Sequence, residues 1–231
     1  MPESYESNFH AWEKANFAPP PEKPLTASES AQITKVPMRD GVLSWDCPSD
    51  EPTDQYSYDP ALPTHSQVET FTDRREVEIR SDVLTYTSEP LTAPLTILGE
   101  IKLVLHAASD GLDTDWFVVL TEVTSDSQSR SFHYAPPAFR ARYREGFGKE
   151  VLLTPDKPEI FRIPMGAAGH QIAAGNRLRL SIFSAAFPEY DPNSNTGNPI
   201  ATDTDTRVAK QTVFHDAVRS SHLVLPVIRL D

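Results

Sequence analysis

Apolar and polar residues alternate in short runs along most of this chain, and the runs are broken by Pro, Gly, Asn and Asp. Alternation with period two is the signature of a half-buried strand. In His222–Ile228, Leu223, Leu225 and Val227 fall on one face, and Val224 and Ile228 make the other partly apolar. That run is expected well inside a sheet, with the chain's end pinned into a core. A short polar connection, 215–221, joins it to a strand over Val208–Phe214. Upstream, Ile97–His106 places Ile101, Leu103 and Leu105 on one face, and Arg177–Phe183 places Leu178, Leu180 and Ile182 inward. Asp115–Thr124 is apolar on both faces, as in a central strand covered on both sides. Shorter strands are predicted from Val77 and Ile79, and over Val83–Thr87, Ser129–Tyr134, Phe139–Tyr143 and Ile160–Ile163. Long amphipathic helical runs are absent from the pattern. About ten strands and long irregular loops predict an all-β, jelly-roll β-sandwich.

Composition refines the organisation. The chain has 231 residues, 21 of them Pro and nine Gly, enough for one large β domain with an extension. The extension is expected over residues 1–65 and the sandwich over 66–231. Phe17–Pro24 reads FAPPPEKP. It suits neither a helix nor an interior strand, because each Pro removes an amide donor. An extended arm wrapping the sandwich is favoured over a disordered tail. Asp40-Gly41 is read as a turn signal.

Net charge is −12, a balance that repels a phosphate backbone, so no nucleic-acid partner is expected. Mean hydropathy is −0.41. No run reaches the roughly eighteen apolar residues of a membrane span, so no membrane partner is expected either. The opening MPESYESNFHAWEK has neither the basic start nor the apolar stretch of a secretory signal. Cys47 is the sole cysteine, which excludes an internal disulfide and a cysteine-based metal site. These features suit a cytoplasmic location.

The candidate chemistry is sparse. Asp113-Thr114-Asp115-Trp116 invites a catalytic or metal reading, but its plainer reading is a turn entering a strand, with the carboxylates accepting from loop amides. Arg140, Arg142 and Arg144 alternate on a predicted strand face and could hold an anion. With 33 acidic residues in the chain, partners within the fold are the stronger expectation. Asp191, Asn193 and Asn195 begin like a calcium loop, but Thr196 and Thr202 stand where Gly and Glu are needed. A loop locked by Asx turns is expected instead, and no metal or cofactor is assigned. His215-Asp216 reads as a strand end, since neighbours on a strand point to opposite faces. No two glycines frame a serine as G-x-S-x-G, the turn that presents a hydrolase nucleophile.

Six stretches in order carry a resemblance: DVLTYTSEPL (Asp82–Leu91), DTDW (Asp113–Trp116), RARYRE (Arg140–Glu145), AGNRLRLSI (Ala174–Ile182), FPEYDPNSNTG (Phe187–Gly197), and QTVFHD followed by SSHLVLPVI. Together they resemble the C-terminal domain of the X-Pro dipeptidyl-peptidase and cocaine-esterase (CocE/NonD) family of serine hydrolases. The resemblance covers Asp54–Ile228 well and the first fifty or so residues loosely. It implies a galactose-binding-like jelly roll that is not itself catalytic. Such a domain packs on an α/β-hydrolase domain, in the same or a separate chain, and helps wall its active site. Hydrolysis of an ester, amide or X-Pro peptide is then expected of the assembled enzyme, and homo-oligomerisation is a further expectation. The family's nucleophile, base and acid lie upstream of the matched region, so none is carried over. In the family the DTDW motif sits near the catalytic domain. Asp113, Asp115, Trp116, Arg140 and Arg142 are therefore candidates for the contact or for the substrate wall, with Trp116 as an aromatic anchor. Two departures bear on specificity: Asn176 stands where the family usually has His, and 134–139 replaces a glycine-containing polar segment. The alternative is a stand-alone carbohydrate- or ligand-binding sandwich.

Overall fold

A computed structural model describes residues 12–18, 40–49, 51–65, 73–134, 139–200 and 202–228. Its strands are β1 (Trp12–Ala18), β2 (Asp40–Ser44), β3 (Asp54–Tyr58), β4 (Leu84–Ser88), β5 (Leu95–Ser109), β6 (Asp115–Val123), β7 (Ser129–Tyr134), β8 (Phe139–Arg140), β9 (Glu159–Ile172), β10 (Arg177–Phe183), β11 (Ala209–Phe214) and β12 (His222–Ile228). One short helix, α1 (Arg75–Glu78), precedes β4.

The long strand β5 organises one half of the fold. β9 pairs along one edge, and β11 and then β12 follow each other along the opposite edge. β3 extends this half from β11, and β1 extends it from β12. β1 hands over to β2, and the ladder continues through β4, β10, β6 and β7. The β2–β4 pair is parallel, and the other pairs among the described residues are antiparallel.

The two halves face each other across one core, which makes the fold an all-β sandwich of the jelly-roll type. Ile97, Ile101, Leu103 and Leu105 of β5, with Leu223 and Leu225 of β12, pack in one cluster with Leu84 and Tyr86 of β4 and Leu178, Leu180 and Ile182 of β10. Each fully buried aliphatic side chain there contributes about 1.5–3 kcal/mol. The alternation read in β5, β10 and β12 is the alternation that fills this core.

β6 is buried on both faces, as its double apolar pattern requires. Trp116, Val118 and Leu120 face the main core. Phe117 and Val119 face a second cluster with Val77, Val83, Phe183 and Ala186. The cover over that second face is α1, where a strand through Val77 and Ile79 was predicted. A four-residue helix buries Val77 and Glu78 together, which a strand would send to opposite faces. Glu78 then accepts from Arg179 Nη1 (2.7 Å) and Ser129 Oγ (2.7 Å), tying α1 to β10 and β7.

Other expectations also change. Ile160–Ile163 lies near the start of the fourteen-residue β9. Its second half lacks large apolar residues over Gly166–Gln171, ends on the buried Ile172, and is held by its register on Leu95–Ile101 of β5. Asp40-Gly41 is no turn but the start of β2, in register with Thr85 and Tyr86. Residues 1–65 place β1, β2 and β3 in the sheet, and the proline run 19–24 lies outside the described residues.

The segment 215–221 interrupts what would otherwise be one continuous strand on the edge of β5. Ser221 patches the break: its hydroxyl accepts from His106 N (2.9 Å) and donates to Phe214 O (2.6 Å). Asp216 accepts from the amides of Val218 (3.0 Å) and Arg219 (2.8 Å), closing the excursion as a capped turn. His215 is fully buried, and its Nε2 lies 3.0 Å from Asp54 Oδ2. The His215-Asp216 pair is thus a strand end, as read.

Candidate functional site

Register builds the site. β8 pairs antiparallel with the start of β6, placing Arg140 opposite Asp115 and Phe139 opposite Trp116. Arg140 donates to Asp115 from Nε and Nη2, both at 2.8 Å. Beyond Arg140 the chain does not continue as the predicted strand. It tightens into a 3-10 turn, Ala141–Tyr143. Ala141 N bonds Thr114 O (2.9 Å), and this turn lays Arg142 against Asp113. Asp113 Oδ1 accepts from Arg142 N (2.9 Å), and Oδ2 accepts from Arg142 Nε (2.6 Å). A strand would have put Arg140, Arg142 and Arg144 on one face. The turn instead gives each its own acceptors, with Arg144 donating to the carbonyls of Ala141 and Val151.

One side chain joins the two ion pairs. Asn193 Nδ2 donates to Asp113 Oδ2 (3.0 Å) and Asp115 Oδ1 (2.8 Å). Its Oδ1 accepts from Asn195 N (2.9 Å), the Asx turn expected of this loop. Both ends of the carboxamide are therefore engaged in holding the loop to the ion pairs. Tyr58 of β3 donates to Asn193 O (3.1 Å) from beneath. Arg142 Nη2 donates to Asn198 O (3.0 Å), and Nη1 lies 3.5 Å from Glu150 Oε2.

Over this floor lies a cleft of about 250 Å³, lined by Asp113, Arg140, Arg142, Asp191, Pro192, Asn193, Ser194, Asn198, Ile200 and Asp203. Asp203 closes one wall, accepting from Ser194 Oγ (2.7 Å), Thr196 Oγ1, Asn198 Nδ2 (3.1 Å) and Asp205 N (3.0 Å). Hydrogen bonds from Ser194, Thr196 and Asn198 hold its carboxyl well below the usual range. Burial pushes the Asp115 carboxyl up, while Arg140 and Asn193 pull against that push. The Asp115 carboxylate in turn holds the Arg140 guanidinium above its usual range.

The structure brings all five candidate residues together and gives them unequal positions. Asp113, Asp115 and Arg142 are buried, and Arg140 keeps 21 % of its side-chain surface. Trp116 is 1 % exposed, with its ring against Phe161, so the indole supports the floor from the core side instead of standing at the surface as an anchor. Asn193, Asp203 and Ile200 were not singled out as site residues. The signal for them was the DPNSNTG stretch, whose reach back to the DTDW motif is not visible in spacing. Most polar atoms of the floor are already engaged by other protein groups. The arrangement suits a rigid surface. Among the described residues, no three His, Cys, Asp or Glu side chains are grouped to hold a metal ion.

Comparisons with known proteins agree on one family. Residues 4–224 match the family described as X-Pro dipeptidyl-peptidase C-terminal non-catalytic domain. Cocaine esterase from Rhodococcus sp. (strain MB1 Bresler) is 32% identical over 200 residues, covering 82% of this chain and 34% of the esterase. The crystal structure of an aminopeptidase from a marine sediment Thaumarchaeota archaeon superposes with a TM-score of 0.78 at 25% identity, over 95% of this chain and 37% of that one. A selenomethionine-labelled alpha-amino acid ester hydrolase gives a TM-score of 0.77 at 27% identity, over 94% and 36%. This chain thus spans about a third of the length of these relatives. The matched family, its relatives and the sandwich agree: the chain belongs to the X-Pro dipeptidyl-peptidase C-terminal non-catalytic domain family.

Proposed function

We propose that this chain packs on an α/β-hydrolase catalytic portion, in the same or a separate polypeptide, and helps wall its active site. The observation that carries the reading is the extent of the matches. The chain is matched over nearly its whole length, yet it accounts for 34% of cocaine esterase and 36% of the alpha-amino acid ester hydrolase. The relatives' names supply the reaction class, hydrolysis of an ester or a peptide bond, which the assembled enzyme would perform. Residues 1–65 form the linking arm and residues 66–231 the body. Support for a tethered arm comes from β1, β2 and β3, which hydrogen-bond into the sheet. Arg140, which keeps part of its surface, lies at the contact face, and Asp113, Asp115, Arg142 and Trp116 stiffen it from beneath. A cytoplasmic location accords with a single, unpaired Cys47.

The test is a chimera: Rhodococcus cocaine esterase with its matching 200 residues replaced by this chain. Ester turnover by the chimera, with none from this chain alone, is the expected result. A soluble, folded chimera without turnover would count against the reading.

A further inference from the structure

Large apolar side chains stand exposed beside the cleft. Ile200 (40 % exposed) lines it, and Leu112 (37 %) and Leu152 (42 %) lie at Gly197, next to the lining residue Asn198. Leu112 and Leu152 meet over Gly197, where an added Cβ would lie 2.8 Å from Leu112 Cβ and 3.3 Å from Leu152 Cδ1. Glycine there lets the rim close. Beside the rim, the chain folds back from Tyr143 to Val151 and carries Phe147 at its tip, 85 % exposed. Gly146 and Gly148 flank it, with nothing within 4 Å of a Cβ added at either.

The base of this tip is well fixed. Gly146 N bonds Tyr143 O (2.9 Å), Lys149 N bonds Gly146 O (3.2 Å) and Val151 N bonds Arg142 O (2.8 Å). Tyr143 donates to Glu150 Oε1 (2.7 Å), and its ring lies 5.8 Å from that of Phe147. An exposed aromatic on a pre-ordered support is how interface anchors are built, because docking then costs little further ordering. Leu152 lies five residues further along the same chain segment, so exposed apolar surface continues from the tip toward Leu112 and Gly197.

We propose that Phe147 is the anchor by which this chain docks on the catalytic portion of its hydrolase, entering an apolar pocket there while Leu112, Leu152 and Ile200 seal the contact. The proposal rests on the functional reading above. It commits to that partner because about two-thirds of each relative's length lies outside the matched region. The pocket that receives the phenyl group is apolar.

The test uses the cocaine esterase chimera and the isolated chain, each with Phe147→Ser and, as control, Val218→Ser, whose side chain is 87 % exposed elsewhere on the fold. In the isolated chain both substitutions leave the melting temperature unchanged, which shows that neither disturbs the sandwich. In the chimera, Phe147→Ser lowers it by about 3 °C or more, and Val218→Ser does not. Amide exchange over 143–151 is slower in the unsubstituted chimera than in the isolated chain, and Phe147→Ser restores the faster rate. If Phe147→Ser is silent in a chimera that melts as one unit, the anchor is wrong and the functional reading survives. Two independent transitions in the unsubstituted chimera, or failure of that chimera to fold, overturn both.

Discussion

Asp113 and Arg142 form the most deeply buried ion pair of the site, at 0% and 2% side-chain exposure. Removing one member strands the other charge, which costs about 3–5 kcal/mol. Asp113→Ala is therefore expected to lower the stability of the chain by that amount in chemical denaturation, and a loss below about 1 kcal/mol would contradict the placement. Asp203 offers a pH test. Its carboxyl is held below the usual range by Ser194, Thr196 and Asn198, so its contribution is present above the ordinary aspartate value of about 3.9. That contribution is lost only as pH falls through the lowered folded value. A carbon NMR titration of Asp203 should give a midpoint below about 3.9, and one at or above it would refute the hydrogen bonding described. At this scale the sequence revealed the arginines' need for acidic partners within the fold. It did not reveal Asn193 as the link, because that contact spans 80 residues and no local spacing encodes it.

Elements were legible where one face had to be apolar. β5, β10 and β12 follow the alternation that the core demands. Elements defined by pairing were harder to see. The small residues Gly166–Gly169 of β9 carry no pattern, and β5 alone dictates their conformation. The helix α1 imitates a strand in sequence because Val77 and Ile79 alternate with acids, yet the second core needs Val77 and Glu78 on one side. The Arg140–Tyr143 segment is similar: tertiary bonds to Thr114 and Asp113 override its alternation. The break between β11 and β12 yields a prediction for an element. The Ser221 hydroxyl replaces a missing ladder partner for both His106 N and Phe214 O. Ser221→Ala leaves both groups unsatisfied in a buried position, at a cost of about 1–3 kcal/mol. Denaturant unfolding should show that loss, and amide exchange at His106 should accelerate. Unchanged exchange there would count against the bridging role.

For the molecule as a whole, the pattern was enough to identify an all-β sandwich, and six ordered motifs pointed to its family. What the sequence left open was which surface matters, since exposure and burial of the DTDW and RARYRE residues emerge only when distant loops converge. Trp116 is buried against Phe161, whereas Phe147, on the chain that follows Arg142, is exposed. The central claim is that this sandwich is one cooperative part of a larger hydrolase. Differential scanning calorimetry of the cocaine esterase chimera tests it most directly. A single transition, at a temperature above that of the isolated chain, is the predicted result. Two transitions, one of them coinciding with the isolated chain, would contradict it.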